Sequence, residues 1–277
     1  NVINKIIMNV IIEFKIMTDF TSAFVEAVLS ESKEICQYFI DQKVRINYNK
    51  ILRQIINIAV INEDIFKLIY DNVDSITKEN LLTFSLYPAI KNKKKDMIEM
   101  LLNKDVSYDF ALIRAVETRD IDVVNIILKY DSKPSFINKK SDNGSTVLHI
   151  ATSLNDEQIV KRLLEIPGID PSLYDSDNKI PLINSIYNLN INIMNMIIDF
   201  YGSNIQSQLW QLESAIKTAL RMLSSRNSKD KKDKLLVILK RILNIEGINP
   251  NIREDKHTLL SYACEANELN IVQMLLE

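Results

Sequence analysis

The sequence predicts an all-α fold, a solenoid of about eight stacked helix–turn–helix units. Three observations predict it. A small residue followed by spaced apolar pairs recurs along the chain, at positions 27, 59, 89, 115, 151, 185, 215 and 263, alanine everywhere except Ser185. Only 4 glycines and 6 prolines in 277 residues argue against a turn-rich β fold. The apolar residues, 47% of the chain, are spaced as helical faces more often than as alternating strands.

The clearest unit lies at 142–172. Asp142-Asn143-Gly144 is turn chemistry, because Asn and Gly tolerate positive φ and Asp bonds its own backbone. Thr146 stands where a helix N-cap is wanted. Leu148 and Ala151 give a short helix with a small packing face, and Leu154-Asn155-Asp156 breaks it. Ile159, Val160, Leu163 and Leu164 form the stripe of a second helix, which Pro167-Gly168 stops before Asp170-Pro171 opens a loop.

Turn, short helix, turn, second helix and loop in about 33 residues resembles the ankyrin unit. Thr146-Val147-Leu148-His149 is similar to that family's T-P-L-H signature, with Val147 in place of proline. Ala151, Val160 and Leu163-Leu164 fall where the family has its alanine, valine and paired leucines.

Upstream, four weaker copies keep this register. Ala27 leads to Ile35, Cys36, Phe39 and Ile40; Ala59 to Ile65, Phe66, Leu68 and Ile69; Ala89 to Met97, Ile98, Leu101 and Leu102; Ala115 to Val123, Val124, Ile127 and Leu128. None carries the four-residue signature, and their turns lack glycine. A helical solenoid of another type stays open for residues 1–110. Residues 111–277 read as clearer repeats within one 1–277 solenoid.

Downstream, Asn178-Lys179-Ile180-Pro181-Leu182 repeats the turn and helix start, with proline at the first helical position where its missing N–H costs nothing. Ile197-Ile198 stand for the paired leucines. Leu212 and Ala215 begin a longer first helix, and Trp210 reads as part of its core. The polar run 224–234 reads as an inserted exposed loop, with Leu235–Leu243 as the second helix. Glu246-Gly247-Ile248-Asn249-Pro250 echoes Pro167-Gly168-Ile169-Asp170-Pro171. In the last copy Thr258-Leu259-Leu260-Ser261 replaces the signature, and Leu275-Leu276 closes the second helix. That stripe ends the chain without a polar cap, so further chain or a covering partner is expected beyond Glu277.

Ile3, Ile6, Ile7, Val10, Ile11 and Phe14 fall on one helical face, and polar residues interrupt them. They predict a core-facing amphipathic helix rather than the ~20 apolar residues that a membrane span needs. No membrane insertion is expected. Two cysteines, Cys36 and Cys264, give no disulfide framework and fit a reducing compartment, hence a cytoplasmic, intracellular protein with the nucleus open. The net charge of −2 provides no global field toward nucleic acid.

No metal or cofactor is expected. Zinc ligands must meet within about 2–2.3 Å of one ion, and the cysteines belong to the first and last repeats. No phosphate-binding glycine loop exists. His149 occupies the signature place, which the resemblance makes structural, and His257 reads as a solvated turn residue. No enzyme and no small-molecule substrate are expected. The lysine runs 91–95 and 229–234 read as solvated loops, with phosphate contact as the sharper alternative.

The resemblance implies a non-catalytic scaffold or adaptor that binds a partner protein on its concave side, through turn tips and first helices. The alternative is a regulatory or targeting segment of a larger protein. Carried onto matching positions, the tips are Asp142, Ser145, Lys179, Glu254 and His257. The first helices contribute Ser153, Leu154, Tyr187, Asn188, Glu265 and Ala266.

Overall fold

In the computed structural model the described residues are 20–104, 106–224, 228–254, 257–265 and 267–276. The amphipathic helix expected over 2–17 lies outside them, as does Ala266. The chain forms two compact units that meet in sequence between Tyr130 and Asp131. Both are built from helix pairs.

The first unit contains α1 (Thr21–Leu29) with α2 (Lys33–Asp41), α3 (Tyr48–Ile61) with α4 (Glu63–Asn72), α5 (Ser75–Lys91) with α6 (Lys95–Leu102), and α7 (Ala111–Glu117) with α8 (Ile121–Tyr130). First helices pack on first helices, α1 on α3, α3 on α5 and α5 on α7, while α2 packs on α4 and α6 on α8.

The second unit opens with the short α9 (Pro134–Ile137). It continues with α10 (Val147–Ser153) and α11 (Glu157–Leu164), then α12 (Pro181–Tyr187) and α13 (Ile191–Tyr201). A 3-10 segment (Gly202–Gln208) leads to α14 (Leu209–Ser224) and α15 (Lys229–Leu243). Last come α16 (Leu259–Glu265) and α17 (Leu269–Leu276). Two-residue strands, Arg253–Glu254 and His257–Thr258, pair antiparallel just before α16. The row α10, α12, α14, α16 and the row α11, α13, α15 stack as in the first unit. The all-α solenoid of helix pairs predicted from sequence is what each unit shows.

Every alanine place is buried, Ala27 at 4% exposure and the other seven at 0%. A larger side chain there would hold neighbouring first helices apart. The turn that follows is equally regular. In six pairs the residue four past the alanine place has positive φ: Glu31, Lys93, Arg119, Asn155, Leu189 and Asn267. Its N–H donates to the carbonyl one past the alanine place, at 2.9 Å for Glu31 to Val28 and 3.1 Å for Asn155 to Thr152. In five of the six the next N–H reaches back to the carbonyl of the alanine place, 2.9 Å for Lys94 to Ala89 and 3.2 Å for Asp156 to Ala151; in the Arg119 turn it goes to the Thr118 hydroxyl instead. These are the nested bonds of a Schellman ending, which consume carbonyls that a finished helix would leave unpaired.

The second helix then starts on a polar cap. Asn62 Oδ1 accepts from the Ile65 N–H at 3.3 Å, Asp156 Oδ1 from Ile159 at 3.1 Å, and Asn190 Oδ1 from Ile193 at 2.9 Å. Asp74 caps α5 by accepting from both the N–H and the hydroxyl of Thr77, and these bonds lower its carboxyl below the usual range.

The echo between 168 and 247 is structural. Gly168 and Gly247 both close a second helix with left-handed φ, +86° and +90°. A Cβ on Gly168 would lie 2.7 Å from the Pro134 ring, and one on Gly247 2.8 Å from Gln206 Oε1. At Gly168 the near atom belongs to a stiff proline ring, so glycine is needed for both space and φ; at Gly247 the left-handed φ is what calls for glycine.

Two sequence expectations change. The run 224–234 is not a loop throughout: α15 begins at Lys229. Lys and Asp at these positions form i,i+4 partners, Asp230 with Lys234 at 3.2 Å, and lysine is a good helix former. Trp210 is not core. It is 53% exposed, because the buried stripe of α14 runs through Leu212, Ala215, Ile216 and Ala219, and Trp210 points away from it. Its ring stacks on Tyr174 with centroids 5.3 Å apart.

Candidate partner-binding surface

Polar bracing in the second unit is centred on His149, which is 2% exposed. The Thr146 N–H donates to Nδ1 at 3.2 Å, so Nδ1 is an acceptor and Nε2 carries the proton. Nε2 then donates to the Lys179 carbonyl of the next repeat at 2.9 Å. Burial holds the imidazole below its usual range, against the smaller opposing pull of the bond to Lys179. The structural role predicted for His149 is therefore seen, and it leaves no lone pair for catalysis. In the last repeat Thr258 and Ser261 replace this pair: each side-chain oxygen accepts from the other's backbone N–H, at 2.9 and 3.1 Å.

Asparagines extend the bracing between first helices. Asn184 Nδ2 donates to the His149 carbonyl at 3.2 Å, and Asn188 Nδ2 to the Thr152 carbonyl at 2.9 Å. Asn188, expected to meet a partner, thus spends its amide within the stack. Lys179 is half-buried, paired with Asp177 at 3.1 Å, and its ammonium lies 5.9 Å from the centre of the Tyr187 ring. Tyr187 is 50% exposed on α12. Asp142 and Ser153 are exposed, and Ser145 and Leu154 half-buried. Glu254 and His257 are Cα partners in the register of the two short strands. Glu265 is exposed at the end of α16.

The first unit holds a site that sequence reading missed. A cleft of about 720 Å³ opens between α5 and α7. Tyr87, Pro88 and Phe110 give it an apolar floor; Lys91, Lys93, Arg114 and Glu117 stand around it. Tyr87 is 37% exposed, and Phe84, one turn earlier, 38%. The Arg53 guanidinium lies 5.6 Å from the centre of the Phe84 ring, so cation and aromatic alternate across α3 and α5. Of the cations, Arg114 pairs with Glu117 at 3.0 Å, and Lys93 reaches Asp120 only at 4.0 Å. Lys91 makes no ion pair among the described residues. The run 91–95 is thus partly a rim of this cleft and not only a solvated loop. Pro88 inside α5 was a usable signal. An interior helix proline costs about 3 kcal/mol and withholds the N–H that the Phe84 carbonyl would accept.

Neither cysteine suits nucleophilic work. Cys36 is buried, which pushes its thiol up to about 11, and Cys264 is exposed with no described ionic partner. Among the described residues no three His, Cys, Asp or Glu side chains gather as metal ligands do. Among them, too, no helix is long and apolar enough to cross a membrane.

A family model described as ankyrin repeats, in three copies, matches residues 112–209. Residues 112–209 thus match ankyrin repeats. An ankyrin repeat protein of Acanthamoeba polyphaga mimivirus is 30% identical over 139 residues, 47% of this chain and 18% of that protein. Human NF-kappa-B inhibitor zeta is 36% identical over 75 residues, 26% of this chain and 10% of the inhibitor. The chain therefore spans only a small part of the curated relatives it matches. The ankyrin repeat domain of Bcl-3, described as a member of the IkappaB protein family, superposes with a TM-score of 0.56 at 18% identity. That match covers 80% of this chain and 97% of the Bcl-3 domain. Ankyrin repeats are in general protein–protein interaction modules, and the fold is a non-enzymatic one.

Proposed function

We propose that this chain is a non-catalytic scaffold or adaptor that holds a partner protein along the outer side of its first helices and the tips that precede them. The observation that carries this reading is the chemistry of that side. Phe84, Tyr87, Tyr187 and Trp210 are large rings left 37–53% exposed on α5, α12 and α14. Aromatic side chains beside cations are what interface centres are enriched in. The NF-kappa-B inhibitor among the relatives acts, by its name, on another protein, which agrees with this reading. On this proposal Asp142, Ser145, Ser153, Leu154, Lys179, Tyr187 and Asn188 are partner contacts in the second unit. Glu254, His257, Glu265 and Ala266 extend that surface. The protein works inside the cell and uses no cofactor.

Site-specific photocrosslinking tests it. A crosslinking residue at Tyr187 or Phe84 should capture a discrete partner, whereas one at Lys129 or Lys161 on second helices should not. Equal capture from both rows would defeat the assignment. A second reading, a regulatory or targeting segment, is favoured by the length of the curated relatives, of which the match covers 18% and 10%. An effector domain in the same reading frame would support it.

A further inference from the structure

The cleft of the first unit is specific enough to suggest the chemistry of its occupant. We propose that it takes an acidic peptide segment of a partner protein, with an aromatic or leucine side chain seated on Tyr87, Pro88 and Phe110. This rests on the interaction-module reading and narrows it to one place and one class of ligand.

The floor argues for the anchor. Tyr87 and Pro88 are adjacent on α5, and Phe110 comes from the N-terminal end of α7, so apolar surface faces the cleft from two repeats. Pro88 is only half-buried, so packing recovers little of the roughly 3 kcal/mol that a proline costs a helix interior. The ring is instead surface presented to the cleft. A volume of about 720 Å³ accommodates a large side chain with flanking backbone and is within the range of ligand pockets.

The rim argues for the charge. Lys91, Lys93 and Arg114 face one carboxylate, Glu117, on a chain whose net charge is −2. Lys91 has no ionic partner among the described residues, and Lys93 holds Asp120 only at 4.0 Å. A carboxylate from a ligand can take either without breaking a close pair. A nucleic-acid backbone fits less well. Its regular run of phosphates would have to pass Glu117 and Asp120, and three cations release few counterions. Acidic peptide carboxylates can be spaced to avoid both.

The test is a random-peptide display library panned against the full chain. Each enriched peptide is then measured by fluorescence anisotropy on the wild type, on Lys91→Glu/Arg114→Glu and on Tyr87→Ser. Enriched sequences should carry Asp or Glu beside Trp, Phe, Tyr or Leu. Charge reversal should weaken them by about tenfold or more, with an unchanged melting temperature, since both side chains are exposed. Lys91→Ala should give a smaller loss of the same sign, and Tyr87→Ser should remove binding at any salt concentration. No enrichment, enrichment without acidic residues, indifference to charge reversal, or tighter binding of a single-stranded oligonucleotide would each overturn the proposal. If the enriched peptides instead depend on Tyr187 and Trp210, the interaction-module reading survives and the assignment of this cleft falls.

Discussion

The four helix pairs of residues 21–130 and the four of 131–276 have the same backbone and different side-chain chemistry. In the second unit Thr146, His149 and Asn184 tie one repeat to the next through polar bonds. In the first unit Val25, Asn57, Tyr87 and Ile113 stand at the place of His149, yet Ala89 and Ala115 are as buried as Ala151. The turns after Ala27 and Ala89 close through the same pair of N–H bonds, and after Ala115 the Arg119 N–H keeps its bond to Val116 at 3.0 Å while the Asp120 N–H turns to the Thr118 hydroxyl at 3.3 Å. The comparison teaches that a small residue, followed in six of the eight pairs by a left-handed turn residue, defines the repeat. The signature is an addition that braces it.

The largest expected effect follows from the small residue. Ala151→Leu should cost about 3 kcal/mol, at the upper end of overpacking, because Ala151 is fully buried on α10, which packs on α12. Asn155→Ala should cost less, about 2 kcal/mol, since it loses one bond from Asn190 and places alanine on a left-handed φ of 60° without overpacking the stack. Denaturant midpoints of the two variants rank them.

Next comes the bracing. His149→Ala strands the Thr146 N–H and the Lys179 carbonyl, and should cost about 2 kcal/mol in a urea melt.

The same residue gives a pH dependence with a defined sign. The folded imidazole has its pKa lowered from 6.5, so it binds protons less readily than in the unfolded chain. Its contribution is fully present above about 6.5 and is lost as pH falls below that toward the lower folded pKa. Melting temperatures of the wild type should drop over that interval more than those of His149→Gln, and parallel curves would refute the assignment.

The smallest effect sharpens the comparison from the other side. Arg119 carries a left-handed φ of 55° and an exposed side chain. Arg119→Gly should relieve that conformation and stabilise the protein by about 0.5–1 kcal/mol in a denaturant melt. Glycine placed at exposed Arg114, inside α7, should destabilise by a similar amount.

The fold was legible because burial leaves a periodic trace. Ala89 followed by Met97, Ile98, Leu101 and Leu102 reads the same in one dimension as in three. The turns of the first unit were less legible because Glu31, Lys93 and Arg119 adopt a backbone that sequence associates with glycine or asparagine. The binding cleft was not legible. Tyr87 and Pro88 belong to one repeat and Phe110 to the next, and only stacking α5 against α7 brings them together. Trp210 was misread because its neighbours Leu209 and Leu212 suggested a core, although its angle on α14 turns it away from the buried stripe.

The central claim is that both units use one turn. It is tested most directly by NMR, through the three-bond HN–Hα couplings and Cα shifts of Glu31, Lys93 and Arg119, set beside those of Asn155 and Leu189. The account predicts left-handed values at all five residues. Ordinary right-handed helical or extended values at the first three, with left-handed values confined to Asn155 and Leu189, would contradict it.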